Sequence, residues 1–231
     1  MSEQPNADAA WLGIVDWLAQ YAPRSHATLL PSATEAEMAE AQVLLATAWR
    51  PEGEEPLRFP TELLALWRLC ASATNNGAGV EGDEEGELWP ELFLPPEGIF
   101  LPPKAAAQAR LNLEAVDGDR RYWTPSHNVP CIVKYPDAVE SGLYVRASTG
   151  PAQGVMGSFA VYEGYEIAEP SFPSLAAYLG AVAEVLRHGT GPLGEDKKYR
   201  PAVSLGCLVW IDPDDPHLDD VPWELVHPDH G

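Results

Sequence analysis

The spacing of the apolar residues changes along the chain, and this change limits the possible folds more than any other feature of the sequence. Up to about residue 116 the apolar residues recur with the period of a helix in several segments, apart from an irregular stretch at 78–103. From Trp123 to about residue 168 they alternate as in a strand, and then helical spacing returns. The alternating stretches are short and are separated by turn residues rather than by helices. The sequence therefore predicts an α+β fold with a mainly antiparallel sheet, flanked by N-terminal helices and a C-terminal helix.

The helical segments also carry the signals of helix ends. Thr34 and Glu37 have the spacing of a capping box. Pro60 suits the first position of a helix, and Ser171 is the expected N-cap of the last helix. The predicted helices span residues 7–20, 34–48, 60–74, 105–116 and 172–188.

The length of 231 residues suits one large domain, or one domain with an appendage. We expect residues 1–189 to form the domain and residues 190–231 to form an extension packed on it. The extension should contain one strand, over the alternating residues Val203–Ile211, and an acidic tail. The predicted core residues are Trp67, Cys70, Phe159, Phe172 and Leu179.

The charge of the chain excludes some classes of partner. Fourteen Lys and Arg residues against thirty-five Asp and Glu residues give a net charge of −21. Such a charge repels phosphate backbones and anionic lipids, so we expect neither nucleic-acid nor membrane binding. No apolar run approaches the length of a membrane span, and the chain does not open like a signal peptide, so the predicted location is the cytoplasm.

The acidic residues are concentrated in two segments. Residues 81–97 and residues 212–231 each hold seven acidic residues and no Lys or Arg. Each segment also contains a tryptophan, and charge beside an aromatic residue is typical of an electrostatically steered protein interface. Two solvated loops are the alternative interpretation. The predicted partner-binding residues are Glu81, Asp83, Glu84, Glu85, Glu87, Trp89, Asp212, Asp214 and Asp215.

The sequence offers no convincing catalytic set. It lacks the Gly-x-Ser-x-Gly motif of a nucleophile elbow, and its glycine-rich stretch at 77–86 is acidic, which does not suit phosphate binding. His127 and Cys131 are four residues apart and could share one face of a strand. A buried structural cysteine is the preferred interpretation of Cys131. We therefore predict no catalytic residues and no enzymatic activity.

Metal and cofactor sites are not predicted either. Counted from Asp212, the C-terminal run fails the calcium-loop pattern at three positions. The histidines of this run lack the spacing of a zinc site. The three cysteines lie more than sixty residues apart, so they indicate neither a disulfide framework nor a metal centre.

An ordered series of motifs resembles a known family. The series covers roughly residues 7–188 and consists of the opening helix, LLPSATEAEMAEAQ at 29–42, FPTELLALWRLCASATNNG at 59–77, Trp123-Thr124-Pro125, GLYVRASTGPAQGVMGSFAVYEG at 142–164 and PSFPSLAAYL at 170–179. It resembles the SUKH superfamily, in particular its Smi/Knr-like branch. The chain departs from the family where members carry a Gly-Gly-Asn/Asp turn and a Leu-Asp-Leu-Asp-Pro run. Here the chain reads HNVPCIVKYPDAVESG and LYVRASTGP, so no role of those acidic strand residues is carried over.

The resemblance implies a non-catalytic domain that binds another protein. In bacteria such domains are typically immunity proteins that neutralise a co-encoded toxin, often a nuclease of a polymorphic toxin system. A nuclease must present a basic cleft to nucleic acid, and the acidic segments of this chain would complement such a cleft. The predicted partner is therefore a basic toxin domain. The alternative is an intracellular regulatory or scaffold module of the same fold with no toxin partner.

Overall fold

Most helices and strands follow one another in the order that the apolar spacing predicts. The computed structural model describes residues 6–50, 52–74, 88–95, 98–116, 127–134, 139–147, 153–161, 166–168, 170–189, 193, 199–212 and 223–226. The helices in this part of the chain are α1 (Ala7–Tyr21), α2 (Pro23–Ala27), α3 (Glu35–Leu45), α4 (Thr61–Leu69), α5 (Pro103–Val116) and α6 (Leu175–His188). The strands are β1 (Ile99–Phe100), β2 (Asn128–Val133), β3 (Ser141–Arg146), β4 (Met156–Ala160), β5 (Glu166–Ile167), β6 (Arg200–Ser204), β7 (Cys207–Ile211) and β8 (Glu224–Leu225).

The main sheet is antiparallel, as the sequence predicts. Its strands lie in the order β1-β2-β3-β4-β5, and every neighbouring pair is antiparallel. Strand β1 lies outside the predicted strand region because it is only two residues long and shows no alternation. The α+β class is confirmed.

The structure confirms the predicted start of α3 and corrects the predicted start of α6. The capping box at the start of α3 is present, since Thr34 Oγ1 accepts from the N–H of Glu37 at 3.2 Å and Glu37 Oε2 accepts from the N–H of Thr34 at 2.7 Å. The N-cap of α6 is Ser174, not Ser171, and its Oγ accepts from the N–H of Ala177 at 3.1 Å. The helix starts late because Phe172 is still paired with the sheet, where its carbonyl accepts from the N–H of Met156 at 2.9 Å.

Helices α3 and α4 are shorter than predicted. Helix α3 ends at Leu45, and residues 46–48 form turns. Helix α4 ends at Leu69 because the next five residues are extended and pair with the chain after α2. The N–H of Leu30 donates to the carbonyl of Ser72, and the N–H of Thr74 donates to the carbonyl of Thr28, both at 2.9 Å. Local sequence signals do not reveal this backbone pairing, because its partners lie about forty residues earlier in the chain.

The core lies between the helices and the main sheet. Helix α1 packs on α6 and α4, while α5 packs on α3 and β2. Trp67 is fully buried, and its indole N–H donates to the carbonyl of Leu101 at 2.9 Å. The predicted core residues Cys70, Phe159 and Leu179 are also buried. Phe172 is only partly buried, and its ring packs edge-on against Tyr178 with the centroids 5.3 Å apart.

The C-terminal extension contains three described strands rather than the predicted one. The alternation from Val203 to Ile211 is interrupted by a tight turn at Leu205 and Gly206, so β6 and β7 form a hairpin, and β8 pairs with the other edge of β6. Leu208 and Trp210 of this hairpin belong to the same hydrophobic core as the helices. No helix among the described residues is both long and apolar enough to cross a membrane.

Candidate protein-binding surface

Trp89 presents an exposed aromatic side chain on a well-anchored segment. Its side chain is 47% exposed, whereas Pro90, Phe93 and Leu94, which follow it, are buried. The N–H of Leu92 donates to the carbonyl of Trp89 at 3.0 Å, which closes a turn. An exposed tryptophan on a fixed backbone has little conformational freedom to lose on binding, and tryptophan is enriched among the residues that dominate interface energies.

A buried hydrogen bond joins this segment to the C-terminal hairpin. The indole N–H of Trp210 in β7 donates to the carbonyl of Phe93 at 2.8 Å. Both side chains lie in the core. We call residues 88–95 together with β7 the hairpin edge. The hydrogen bond shows that two regions more than a hundred residues apart in sequence form one continuous part of the molecule.

An electrostatic interaction also connects the two parts of the hairpin edge. Burial raises the pKa of the Cys207 thiol, the charge of Arg24 lowers it, and the charge of Glu91 raises it. Glu91 therefore acts on the first residue of β7, the strand whose Trp210 donates to the Phe93 carbonyl.

The other end of β7 carries a second aromatic residue beside an acidic one. Asp212 directly follows β7 and is partly buried. Tyr199 directly precedes Arg200, which pairs with Ile211, the last residue of β7. Tyr199 is exposed, and the sequence analysis did not select it. Tyr199 is therefore an exposed aromatic residue near the Ile211 end of β7.

The structure describes only two of the nine predicted partner-binding residues, Trp89 and Asp212. The other seven lie outside the described residues; they are Glu81, Asp83, Glu84, Glu85, Glu87, Asp214 and Asp215. Their places in the sequence are informative, because one group precedes residue 88 and the other follows Asp212. In sequence, one acidic group thus adjoins residues 88–95 and the other adjoins β7, so each adjoins one of the two parts of the hairpin edge.

Leu205 is a further surface residue that the sequence analysis assigned to a strand. It has a φ of 48°, and Gly206 after it has a φ of 83°. Positive φ values at both residues of a two-residue loop define a type I′ turn. The leucine side chain is 48% exposed in this turn. A glycine inside an alternating stretch was the signal that could have indicated the turn.

Arg24 packs against the same turn. Its N–H donates to the carbonyl of Gly206 at 2.9 Å, and a Cβ atom at Gly206 would lie 3.5 Å from Arg24 Cγ. The neighbouring Ser25 accepts from the N–H of Leu208 through its Oγ at 3.0 Å. These contacts fix the turn, including the backbone beside the exposed Leu205, against α2.

His127 and Cys131 do not form a nucleophilic pair. Cys131 is fully buried, and its thiol donates to the carbonyl of Leu143 at 3.4 Å. Burial raises the pKa of this thiol far above its usual value, which keeps it protonated. The Nε2 atom of His127 instead lies 3.1 Å from Glu54 Oε2. The interpretation of Cys131 as a buried structural residue is confirmed.

Two cavities lie away from the hairpin edge. One, of about 230 Å³, is lined by Ile132, Leu143 and Phe159 of the main sheet. The other, of about 320 Å³, lies between α1 and α6 and is lined by Trp17, Tyr21 and Arg187. Within the described ranges, no three His, Cys, Asp or Glu side chains are grouped closely enough to hold a metal ion.

Comparison with known proteins gives no family assignment. No protein-family model matches the chain, and no curated protein matches it. The resemblance to the Smi/Knr-like branch therefore stays a prediction that depends on the quoted motifs alone.

Proposed function

We propose that this chain is a non-catalytic protein-binding domain that acts as an immunity protein, and that it neutralises a basic toxin domain by binding it along the hairpin edge. The proposal includes membership of the SUKH superfamily, which the motif series suggests. The main support is the buried hydrogen bond between Trp210 and Phe93. Because it joins residues 88–95 to β7, the two regions that the acidic segments adjoin in sequence form one part of the molecule.

The size of this surface suits one protein interface. Strand β7 has five residues and is therefore about 17 Å long. A standard interface covers about 800 Å² on each partner, which is wide enough to include both ends of such a strand. A single partner can thus contact the whole length of β7 together with Asp212, which directly follows it.

The charge of the surface suits a basic partner. Complementary charges accelerate the encounter between two proteins, and aromatic residues near the centre of the interface slow dissociation. A nuclease toxin must keep a basic cleft to bind nucleic acid, so an acidic protein that covers the cleft blocks its substrate. An immunity protein of this kind needs no catalytic residues of its own.

The proposal predicts that this chain protects cells from the toxin, and that protection can be measured. The genes next to the one that encodes this chain should include a protein with a toxic C-terminal domain, and expression of that domain alone should stop growth. Co-expression of this chain should restore growth, and the two purified proteins should form a complex. A complex without restored growth would favour the regulatory alternative. Growth arrest that this chain does not relieve, together with no complex, would refute the proposal.

Charge reversal tests the role of the first acidic segment. Reversing Asp83, Glu84 and Glu85 to Lys should slow association with the toxin domain by about tenfold or more at low salt. The difference should shrink at high salt, because charges more than about 8–10 Å apart are screened at physiological ionic strength. Stopped-flow kinetics at two salt concentrations measures both effects.

The matched control reverses three exposed acidic residues elsewhere. Glu40 lies on α3, and Glu52 and Glu55 lie in the loop after it. Helix α3 packs on α5, whereas the hairpin packs on α2. Changing these three residues to Lys gives the same change in net charge, so it should affect association much less. Equal effects of the two triple variants would show that overall charge, not the segment at 81–87, steers association.

A further inference from the structure

The cavity between α1 and α6 combines side chains of opposite charge with aromatic rings. Its lining includes Gly13, Asp16, Trp17 and Tyr21 of α1 and Ala183 and Arg187 of α6. Its volume of about 320 Å³ lies within the range of small-molecule sites. Sites of that kind join an apolar wall to a few polar groups that orient the ligand. The proposed function does not use this cavity.

Gly13 leaves space open on the α1 side of the cavity. Glycine is among the least favourable residues inside a helix, yet it lies in the middle of α1. A Cβ atom at this position would lie 4.0 Å from Arg187 Nη2 and, its sequence neighbours aside, within 4 Å of no other side chain. A larger residue would therefore fit and would favour the helix, so packing does not require this glycine. Its missing side chain leaves room beside the Arg187 guanidinium.

The two charged groups of the lining do not neutralise each other. Arg187 Nη1 lies 3.1 Å from Glu184 Oε2, while Nη2 lies on the Gly13 side. Asp16 has no ion pair or hydrogen bond within the described part of the chain, so its carboxylate is more than 4.0 Å from the guanidinium. Residues three apart on a helix, such as Gly13 and Asp16, have Cβ atoms about 5–6 Å apart. A carboxylate and a guanidinium thus lie at one cavity without pairing.

Trp17 adds a donor without an acceptor to the wall of this cavity. The residue is 8% exposed, and its ring packs on that of Tyr21 with the centroids 5.1 Å apart. Its indole N–H is buried and has no hydrogen-bond partner among the described residues. A buried donor without an acceptor destabilises the free protein. A ligand that brings an acceptor to this indole would offset that cost.

We infer that this cavity binds a free α-amino acid with an aromatic or large apolar side chain. In this arrangement the ligand carboxylate accepts from the Arg187 guanidinium, and the ligand ammonium group donates to the Asp16 carboxylate. The ligand side chain packs on the rings of Trp17 and Tyr21.

Charge selects a zwitterion over an anion or a cation. The net charge of −21 disfavours an anion, and Arg187 in the lining disfavours a cation. Both charges must also lie close together to fit between Asp16 and Arg187. A free amino acid carries them on adjacent groups, whereas the two ends of a peptide are separated by its whole chain.

Titration with matched ligands tests the class of ligand. L-phenylalanine is compared with N-acetyl-L-phenylalanine, which lacks the ammonium charge, and with L-phenylalaninamide, which lacks the carboxylate. Each analogue should bind at least about tenfold more weakly, because each loses one charge-assisted contact. Nitrogen–proton correlation NMR spectra of the full chain give the three dissociation constants. Equal or tighter binding of either analogue would overturn the zwitterion, and so would no binding of L-phenylalanine, L-tryptophan or L-leucine.

The same spectra locate the bound amino acid. The amide signals of Gly13 and Ala183 should shift as L-phenylalanine is added, and the indole signal of Trp17 should shift as its N–H gains an acceptor. Val43 is the control, since it is 71% exposed on α3 and does not line the cavity. Shifts at Val43 without shifts at Gly13 and Ala183 would overturn the site.

A substitution of Arg187 tests the carboxylate contact. Arg187→Gln should weaken binding of L-phenylalanine by about tenfold or more, and it should leave binding of L-phenylalaninamide unchanged. Arg68→Gln is the matched control, because Arg68 is also exposed and also pairs with a glutamate, Glu35, at 2.7 Å. The control should affect neither ligand. Equal effects of the two substitutions on L-phenylalanine would show that net charge, not the cavity, governs binding.

Filling the cavity tests the site independently of charge. Gly13→Leu replaces glycine with a residue that favours helices, so the midpoint of thermal unfolding should not fall. Binding of L-phenylalanine should be lost. A stable Gly13→Leu variant that binds as tightly as the parent would overturn the inference. The cavity lies away from the hairpin edge, so this variant should still neutralise the toxin domain, and the proposed function and the amino-acid site can fail separately.

Discussion

The end of α6 and the turn between β6 and β7 both require positive φ values, but they differ in the residue types that adopt them. Helix α6 ends at Gly189, which has a φ of 77° and whose N–H donates to the carbonyl of Val185 at 2.7 Å. Glycine is the ordinary choice there, because it adopts positive φ without strain. The turn places glycine only at its second position and leucine at its first. The helix end satisfies local preferences, whereas the turn departs from them.

The two regions also differ in what surrounds them. Helix α6 has a side-chain N-cap, basic residues in its last turn and a stripe of buried apolar residues. The hairpin instead exposes Leu205 and depends on contacts with α2 and with residues 88–95 for its position. Sequences that are locally consistent at every level stabilise a fold, and departures are expected at functional sites. The comparison therefore agrees with a mainly stabilising role of α6, and it supports the proposal that the hairpin edge binds the partner.

The largest expected effect tests the stabilising role of α6. Leu179 is fully buried on this helix, so Leu179→Ala should lower the free energy of unfolding by about 2–5 kcal/mol. Leu12→Ala on the exposed face of α1 is the control, and it should change the value by less than about 0.5 kcal/mol. Urea denaturation measures both variants. If both variants lost a similar amount of unfolding free energy, the conclusion that α6 contributes mainly to stability would be wrong.

The next effect tests the attachment of the hairpin. Trp210→Phe keeps an aromatic ring but removes the donor to the buried carbonyl of Phe93. An unpaired buried acceptor costs about 1–3 kcal/mol, so the free energy of unfolding should fall by that amount. Trp89→Phe, at an exposed position, is the matched control and should have little effect on stability. A Trp210→Phe variant as stable as the parent would mean that packing alone holds the hairpin edge together.

Several elements could be predicted from the sequence because their signals are local. The capping box at Thr34 and the buried faces of α1 and α6 follow from residue type and spacing within one helix. The α+β class follows from the change of apolar period between the helical and alternating stretches. These features need no knowledge of what the segments pack against.

The missed features depend on partners far away in sequence. The extended chain after Leu69 is determined by pairing with residues 28–31, and the late start of α6 is determined by pairing between Phe172 and Met156. The hairpin turn was missed because Leu205 continues the alternation while its backbone reverses direction. For the candidate site, the structure shows that Trp89 is exposed, while its partner-binding role stays a prediction. The hydrogen bond between Phe93 and Trp210 of β7 could not be predicted from the sequence because it joins residues far apart in the chain.

A third prediction measures the strain of a positive φ in this turn directly. Gly206→Ala adds a methyl group that would make only ordinary van der Waals contact with Arg24. There is therefore room for the added methyl group, so any loss of stability in Gly206→Ala reflects backbone strain alone. We expect the free energy of unfolding to fall by about 1–2 kcal/mol, which is the cost of a Cβ atom at positive φ. Thermal unfolding at several urea concentrations gives this value. No loss would indicate that the turn tolerates a Cβ atom, and the comparison with Gly189 would then lose its meaning.

The smallest expected effect separates strain from the side chain itself. Leu205→Ala keeps a Cβ atom at positive φ, so it keeps the strain, and it removes a side chain that is only half buried. The free energy of unfolding should therefore change by less than about 0.5 kcal/mol, as for an ordinary surface substitution. Leu205→Asn removes the strain and should be more stable than Leu205→Ala, because asparagine tolerates positive φ. If Leu205→Ala instead lost as much stability as Gly206→Ala, the leucine would be holding the hairpin in place, and its exposure would reflect packing rather than recognition.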